Sequence, residues 1–220
     1  MTGTSVQPSD TVPSTPADVP LPDWARVLEE SPVAAAPHLL GCTLTSTDGV
    51  ALRIVEVEAY GRHAGVDDPA SHSFRGPTAS NAAMFGPAGT CYVYRSYGIH
   101  LCLNIVCGDV GQGAGVLVRA AEVTAGEDLV RARRAHRLPL ASGPGNVGAA
   151  LAISLAHNGL GLFTPGSWLS LTPRPNGNPL RIGTGPRVGI SKATEQPWRF
   201  WDADSPAVTR FRSKRPRSGK

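Results

Sequence analysis

Two hairpin-like stretches dominate the chain and commit it to an antiparallel β core. In the first, Leu44–Tyr60, two strand-forming runs flank the turn dipeptide Asp48-Gly49. In the second, Thr90–Cys107, Tyr97-Gly98 separates Cys91-Tyr92-Val93-Tyr94-Arg95-Ser96 from Ile99-His100-Leu101-Cys102-Leu103-Asn104. β-Branched and aromatic residues suit a pleated, half-buried surface, and residues that tolerate positive φ close tight hairpins. Further strands are expected at Val116–Val123, Leu160–Thr172 and Pro186–Ile190, with Trp198-Arg199-Phe200-Trp201 closing the core. Short helices are expected at Pro22–Glu30, Glu127–Leu138 (basic and exposed) and Val147–Leu155, and the fold proper should begin near His38. Strands in the middle and helices at the flanks predict an α+β fold. It is a single mixed domain around a curved, largely antiparallel β-sheet, with flanking helices and a protruding β-hairpin.

With 220 residues the chain can bury a substantial core. Residues 1–21 are rich in Pro, Ser and Thr and are expected to be disordered. A domain is expected over 22–205, followed by a disordered basic tail, 206–220, with six basic residues and no acid. No apolar run approaches the ~20 residues that span a bilayer, and no secretory signal opens the chain, so a cytoplasmic location without membrane contact is expected. The four cysteines (Cys42, Cys91, Cys102, Cys107) have no metal-ligand spacing, so reduced, partly buried thiols are expected and no metal. Arginines number 18 against three lysines, a bias that suits phosphates and stacked bases without establishing either.

Aromatic residues are scarce, yet three of the four tyrosines fall between positions 92 and 97. Tyr92 and Tyr94 alternate and could simply pack one face of a sheet. Tyr97, at a hairpin tip, would project into solvent and calls for a partner. Glu58 ends a strand beside Tyr60, whereas Glu56 reads as an exposed face residue. Arg119 sits inside the apolar strand Val116-Leu117-Val118-Arg119-Ala120. Such an arginine needs an anion, with Glu58, Glu122 or a ligand as partner. Asn104, between Leu103 and Ile105, likewise needs hydrogen bonds. His72 lies in the long polar loop 61–77, a length common in functional loops. Together these residues outline a pocket for a flat ring, with a carboxylate, a guanidinium, an amide and stacking rings.

The segments that carry this pattern are Arg53–Tyr60, Ala70–Ser73, Asn81–Phe85, Pro87–Asn104, Val116–Glu122, Ser142–Gly145, Ala150–Ile153, Pro186–Ile190 and Trp198–Phe200. In order and spacing the chain resembles the alkyladenine (3-methyladenine, methylpurine) DNA glycosylases from Leu39 to near Asp204. The resemblance implies a monofunctional glycosylase of base-excision repair whose hairpin enters double-stranded DNA. Such an enzyme flips out alkylated or deaminated purines and hydrolyses the N-glycosidic bond, acting as a monomer without a cofactor. It further implies Glu58 as the general base and Arg119 as the residue that places it. Tyr60, His72 and Tyr94 would be the stacking walls, and Asn104 the filter against the guanine amine. Tyr97, with Ile99 beside it, would fill the gap left in the duplex.

No lysine falls in the matched segments, which argues against a Schiff-base lyase step. The loop before His72 is about three residues longer than the mammalian pattern, and Asn146 stands where the family usually has a lysine. A non-catalytic damage- or RNA-binding module on the same fold is the alternative reading.

Overall fold

The computed structural model describes residues 19–177 and 179–209. Most of the two expected tails, 1–18 and 210–220, lies outside the described residues. Eight strands form one sheet: β1 (Thr43–Ser46), β2 (Ala51–Tyr60), β3 (Cys91–Ser96), β4 (His100–Cys107), β5 (Ala114–Ala125), β6 (Leu169–Thr172), β7 (Ile182–Gly185) and β8 (Arg199–Asp202). The order is β3-β4-β5-β2-β1-β6, with β8 on β2 and β7 on β8, and every pairing is antiparallel. The α+β reading holds. Helices α1 (Pro32–Leu39), α2 (Glu127–Arg133) and α3 (Pro144–Leu151), with short 3-10 turns, flank the sheet.

Both expected hairpins form. Gly49 takes φ 90° in the first turn. In the second, Tyr97 and Gly98 take φ 49° and 74°, and the Ile99 N–H donates to the Ser96 carbonyl at 3.2 Å. A tyrosine in the left-handed region is costly.

β2 is the centre of the sheet, with β5 along its whole length, β1 at its start and β8 at Glu56–Glu58. Strict alternation along β2 would put Ile54, Glu56 and Glu58 on one face. The register with β5 instead slips between Ile54 and Glu56, a bulge at Val55. One extra residue reverses the phase of everything beyond it. Leu52, Ile54, Val57 and Ala59 therefore share the main core with Val116, Val118, Leu151 and Phe200. Glu56 and Glu58 both turn to the other face, where a smaller cluster of Met84, Tyr92 and Val106 packs with Tyr60 and Tyr94.

Several expectations are corrected. The fold begins before His38: Ala25, Leu28 and the α1 residues Ala35, Ala36 and Leu39 are all core. Two prolines hid α1, but Pro32 occupies its first turn, where no N–H is needed, and the Ser31 hydroxyl caps the Ala34 N–H at 3.3 Å. α2 stops at Arg133, short of Leu138, because Ala135 and His136 turn left-handed at φ 47° and 56°. Pro186–Ile190 is a loop, and the strand precedes it at Ile182–Gly185; proline has no N–H for a ladder. Of Leu160–Thr172 only β6 is strand, and α3 starts earlier than Val147, at Pro144. α3 also lies unusually close to β4: a Cβ on Gly148 would stand 2.0 Å from the Leu101 carbonyl oxygen. All four cysteines are free and buried. At the C-terminal end, hydrogen bonding continues past residue 205 as far as Thr209.

Candidate active site

Beside the smaller cluster lies a cavity of about 540 Å³, lined by residues of β2 to β5 and of two loops. Such a volume suits one small organic group. Its aromatic wall comes from β3: the Tyr92 and Tyr94 rings stack at 5.6 Å with 22° between planes. His72 meets Tyr94 edge-on at 4.5 Å, and its Nδ1 lies 2.9 Å from the Tyr92 hydroxyl. His72 lines the cavity from the long loop, where Asn81 Nδ2 donates to its carbonyl at 2.9 Å and to that of Gly76 at 3.1 Å. Burial holds the His72 ring below the ordinary 6.5, which leaves it neutral at pH 7. The same desolvation pushes the Tyr92 hydroxyl up to about 12.

Asn104 on β4 is buried and lines the cavity, and its Nδ2 donates to the Tyr92 carbonyl at 3.2 Å. Tyr97 stands at the cavity mouth, 87% exposed, with Ile99 at 72% beside it. Cys102 and Met84 also line the wall, which no local signal indicated. Lys192, two residues beyond the matched segment Pro186–Ile190, also lines the cavity, so a lysine-free set of matched segments does not leave the pocket free of lysine.

Glu58 is fully buried behind the cavity, screened by Tyr60, Arg119 and Val188, all three of which line it. Its Oε2 accepts from the Tyr60 hydroxyl at 2.8 Å and from Arg119 Nη1 at 3.2 Å, and its Oε1 accepts from the Val188 N–H at 2.6 Å. Burial first, then the neighbouring Glu58 charge, holds the Tyr60 phenol well above its ordinary value, so it stays a donor.

Arg119 is buried and bridges both carboxylates, with its Nε 3.1 Å from Glu56. Glu56, expected on an exposed face, is fully buried. It also accepts from Arg199 Nε at 2.7 Å and from the Thr209 N–H at 2.7 Å and hydroxyl. Glu122, an alternative partner for Arg119, instead binds Arg53 at 2.7 Å. The site is thus a charge-balanced island of Glu56, Glu58, Arg119 and Arg199 beneath a ring-shaped slot. Asn146, in place of the family's lysine, turns back to the Ser142 carbonyl at 2.7 Å. Among the described residues no cluster of metal-ligating side chains occurs, and no helix is long and apolar enough to cross a membrane.

A buried acid backed by arginine under stacked aromatic rings is the arrangement that the resemblance implies. Residues 26–206 match the methylpurine-DNA glycosylase family. A Frankia casuarinae protein is 48% identical over 214 residues, covering 92% of this chain and 99% of its own. One from Nitrosospira multiformis is 51% identical over 183 residues, covering 82% and 90%. A third, from Mycobacterium tuberculosis, is 46% identical over 205 residues, covering 89% and 98%. All three are provisionally named 3-methyladenine DNA glycosylases. By this match and these relatives, the chain belongs to the methylpurine-DNA glycosylase family, as a DNA glycosylase.

Proposed function

We propose that the protein removes alkylated purines, and deaminated ones that fit the same slot, from double-stranded DNA by hydrolysing the N-glycosidic bond. The observation that carries this is the position of Glu58: a carboxylate sealed from bulk water directly behind a slot walled by tyrosines. Alkylation at N3 or N7 gives a cationic purine, which stacks favourably on tyrosine faces and is already a good leaving group. The base must leave the duplex to reach the slot, at a cost of a few kcal/mol that damage lowers.

Glu58 Oε1 accepts one N–H, and its second lone pair would meet a water once entry of the base parts the Tyr60, Arg119 and Val188 screen over the fully buried carboxylate. That water gives its proton to Glu58 and bonds to C1′ as the C1′–N bond breaks and the electron pair leaves with the base. Arg119 and the Tyr60 hydroxyl fix the carboxylate through Oε2. Tyr60, His72 and Tyr94, with Tyr92 stacked beside Tyr94, hold the ring, Asn104 opposes the amine of guanine, and Tyr97 with Ile99 fills the gap in the stack. The acting unit is proposed as a monomer of residues 22–209 that works without a cofactor.

The test is a duplex treated with a methylating agent, incubated with the protein and then with alkali to reveal abasic sites. Wild type is expected to produce them. Glu58→Gln should abolish release and leave lesion-duplex binding largely intact. Near-normal single-turnover release by Glu58→Gln would sink the mechanism, and binding without abasic sites by wild type would favour a non-catalytic module. Borohydride trapping of a covalent adduct through Lys192 would overturn the monofunctional assignment.

A further inference from the structure

We infer that the buried Asp68–Arg187 pair is a positioning clamp for the catalytic carboxylate, an inference that rests on the glycosylase reading above. Neither residue touches the space where the base would lie. Both side chains are completely buried. Arg187 presents its fork to Asp68, Nη1 to Oδ2 at 2.6 Å and Nη2 to Oδ1 at 2.8 Å, and Nη1 also donates to the Ala59 carbonyl at 2.9 Å. Asp68 in turn accepts from the Gly61 N–H at 3.0 Å and the Ala70 N–H at 3.1 Å. One ion pair thus ties together the end of β2, the loop that carries Ala70 and His72, and the loop that carries Val188.

The position of the guanidinium shows what the tie serves. Its carbon lies 4.5 Å from the Tyr60 ring centroid and 5.1 Å from that of Trp198, so the cation is stacked on Tyr60. The adjoining residue, Val188, supplies the N–H on Glu58 Oε1, and Tyr60 supplies the hydroxyl on Oε2. Two of the three donors that aim Glu58 are therefore held by Arg187, one through its ring face and one through the peptide bond. The third, Arg119, is held independently by Glu56.

Arg187 Nε is buried without a hydrogen-bond partner. Such orphans are rare in folded proteins and call for an explanation. Here three of the five guanidinium N–H groups fix three chain segments, and the Nε–H is left without an acceptor. If the clamp is loosened, Tyr60 and Val188 relax and the carboxylate turns off the line to C1′. Tyr92 and Tyr94 lie on β3, and His72 keeps its own ties to Tyr92 and Asn81, so this part of the stacking wall is left in place.

The experiment compares wild type with Asp68→Asn, Arg187→Lys and the double variant. It reads single-turnover base release from a methylated duplex, the Kd for a duplex whose purine lesion is held by a non-cleavable glycosidic bond, and the melting temperature. Asn keeps an acceptor for Gly61 but loses the charge; Lys keeps the charge but loses the fork. Displacing a catalytic group by about 1 Å costs roughly 100-fold in rate, so release should slow by roughly 10- to 100-fold in each folded variant, with Kd changed less than about threefold. The double variant should be no slower than the slower single, because both changes break one unit.

Release within about threefold of wild type in a folded variant overturns the clamp, since misplacement of that order costs more. So does a loss confined to Kd, which would make the pair a wall support. If Asp68→Asn does not fold, Arg187→Lys decides between these results. If wild type releases no base, the glycosylase reading itself fails, and the inference with it.

Discussion

Replacing Glu56 by glutamine should destabilise the protein by about 3–5 kcal/mol, as expected for breaking a buried ion pair. The reasoning follows from its contacts. Oε1 accepts from Arg119 at 3.1 Å and from Arg199 at 2.7 Å, while Oε2 accepts from the Thr209 N–H and hydroxyl. The glutamine oxygen would stay on the arginine side, where two charge-assisted bonds fall to the strength of neutral acceptance, a loss of roughly 1–1.5 kcal/mol each. Its amide then faces the Thr209 N–H, donor against donor, and an orphaned buried donor costs about 1–3 kcal/mol.

Burial leaves little solvent to screen the uncompensated charge, because the three side chains are 8% exposed or less. For a chain of this size about 2–4 °C of melting temperature corresponds to each kcal/mol, so the midpoint should fall by about 6–20 °C. Equilibrium urea unfolding of both proteins gives the free-energy difference directly. The control is Glu122→Gln, whose bridge to Arg53 is 24% to 29% exposed and should contribute about 1 kcal/mol or less. A Glu56→Gln loss below about 1 kcal/mol, or one equal to the control, would refute the charge-balanced island, since breaking such a buried pair costs several times more.

Three further outcomes are expected. Tyr97→Ala should leave stability within about 0.5 kcal/mol, because the ring is exposed, yet weaken lesion-duplex affinity by about tenfold in a binding titration; unchanged affinity and flipping would remove the wedge role. Asn104→Ala opens the cavity opposite the purine edge and should raise release of unmodified guanine by about tenfold or more relative to wild type, the scale of discrimination that a pocket of this kind achieves. The pH dependence follows from His72. Its folded pKa is lowered, so the unfolded chain takes up the proton first, and any stability the neutral ring contributes is full above about 6.5 and lost as pH falls through the folded value. Protonation would also place a second cation beside a cationic base. Release of 7-methylguanine should therefore decline below pH 6.5 more steeply than release of neutral hypoxanthine, and His72→Gln should abolish that difference.

The sequence alone determined the features that depend on neighbouring residues. Asp48-Gly49 and Tyr97-Gly98 marked both hairpins, because the backbone conformation of a tight turn is chosen by the two residues in it. An arginine within Val116–Ala120 announced a buried anion, since desolvating that charge alone is prohibitive. Order and spacing also carried the family resemblance, and with it Glu58, Tyr60, Tyr94 and Asn104, which the fold brings to one cavity or directly behind it.

What the tertiary structure decided is everything set by pairing at a distance. A period of two cannot reveal a bulge, so the reversal at Val55 that buries Glu56 beside Glu58 is invisible until β5 is laid against β2. The anion for Arg119 was legible as a need, but the choice of Glu56 and Glu58 over Glu122 depends on which face each carboxylate reaches. Asp68 and Arg187 lie 119 residues apart, and on their own one reads as an ordinary loop charge and the other as part of an expected strand. Only when three chain segments meet behind Tyr60 do the two have no water left to turn to, and the fold must pair them.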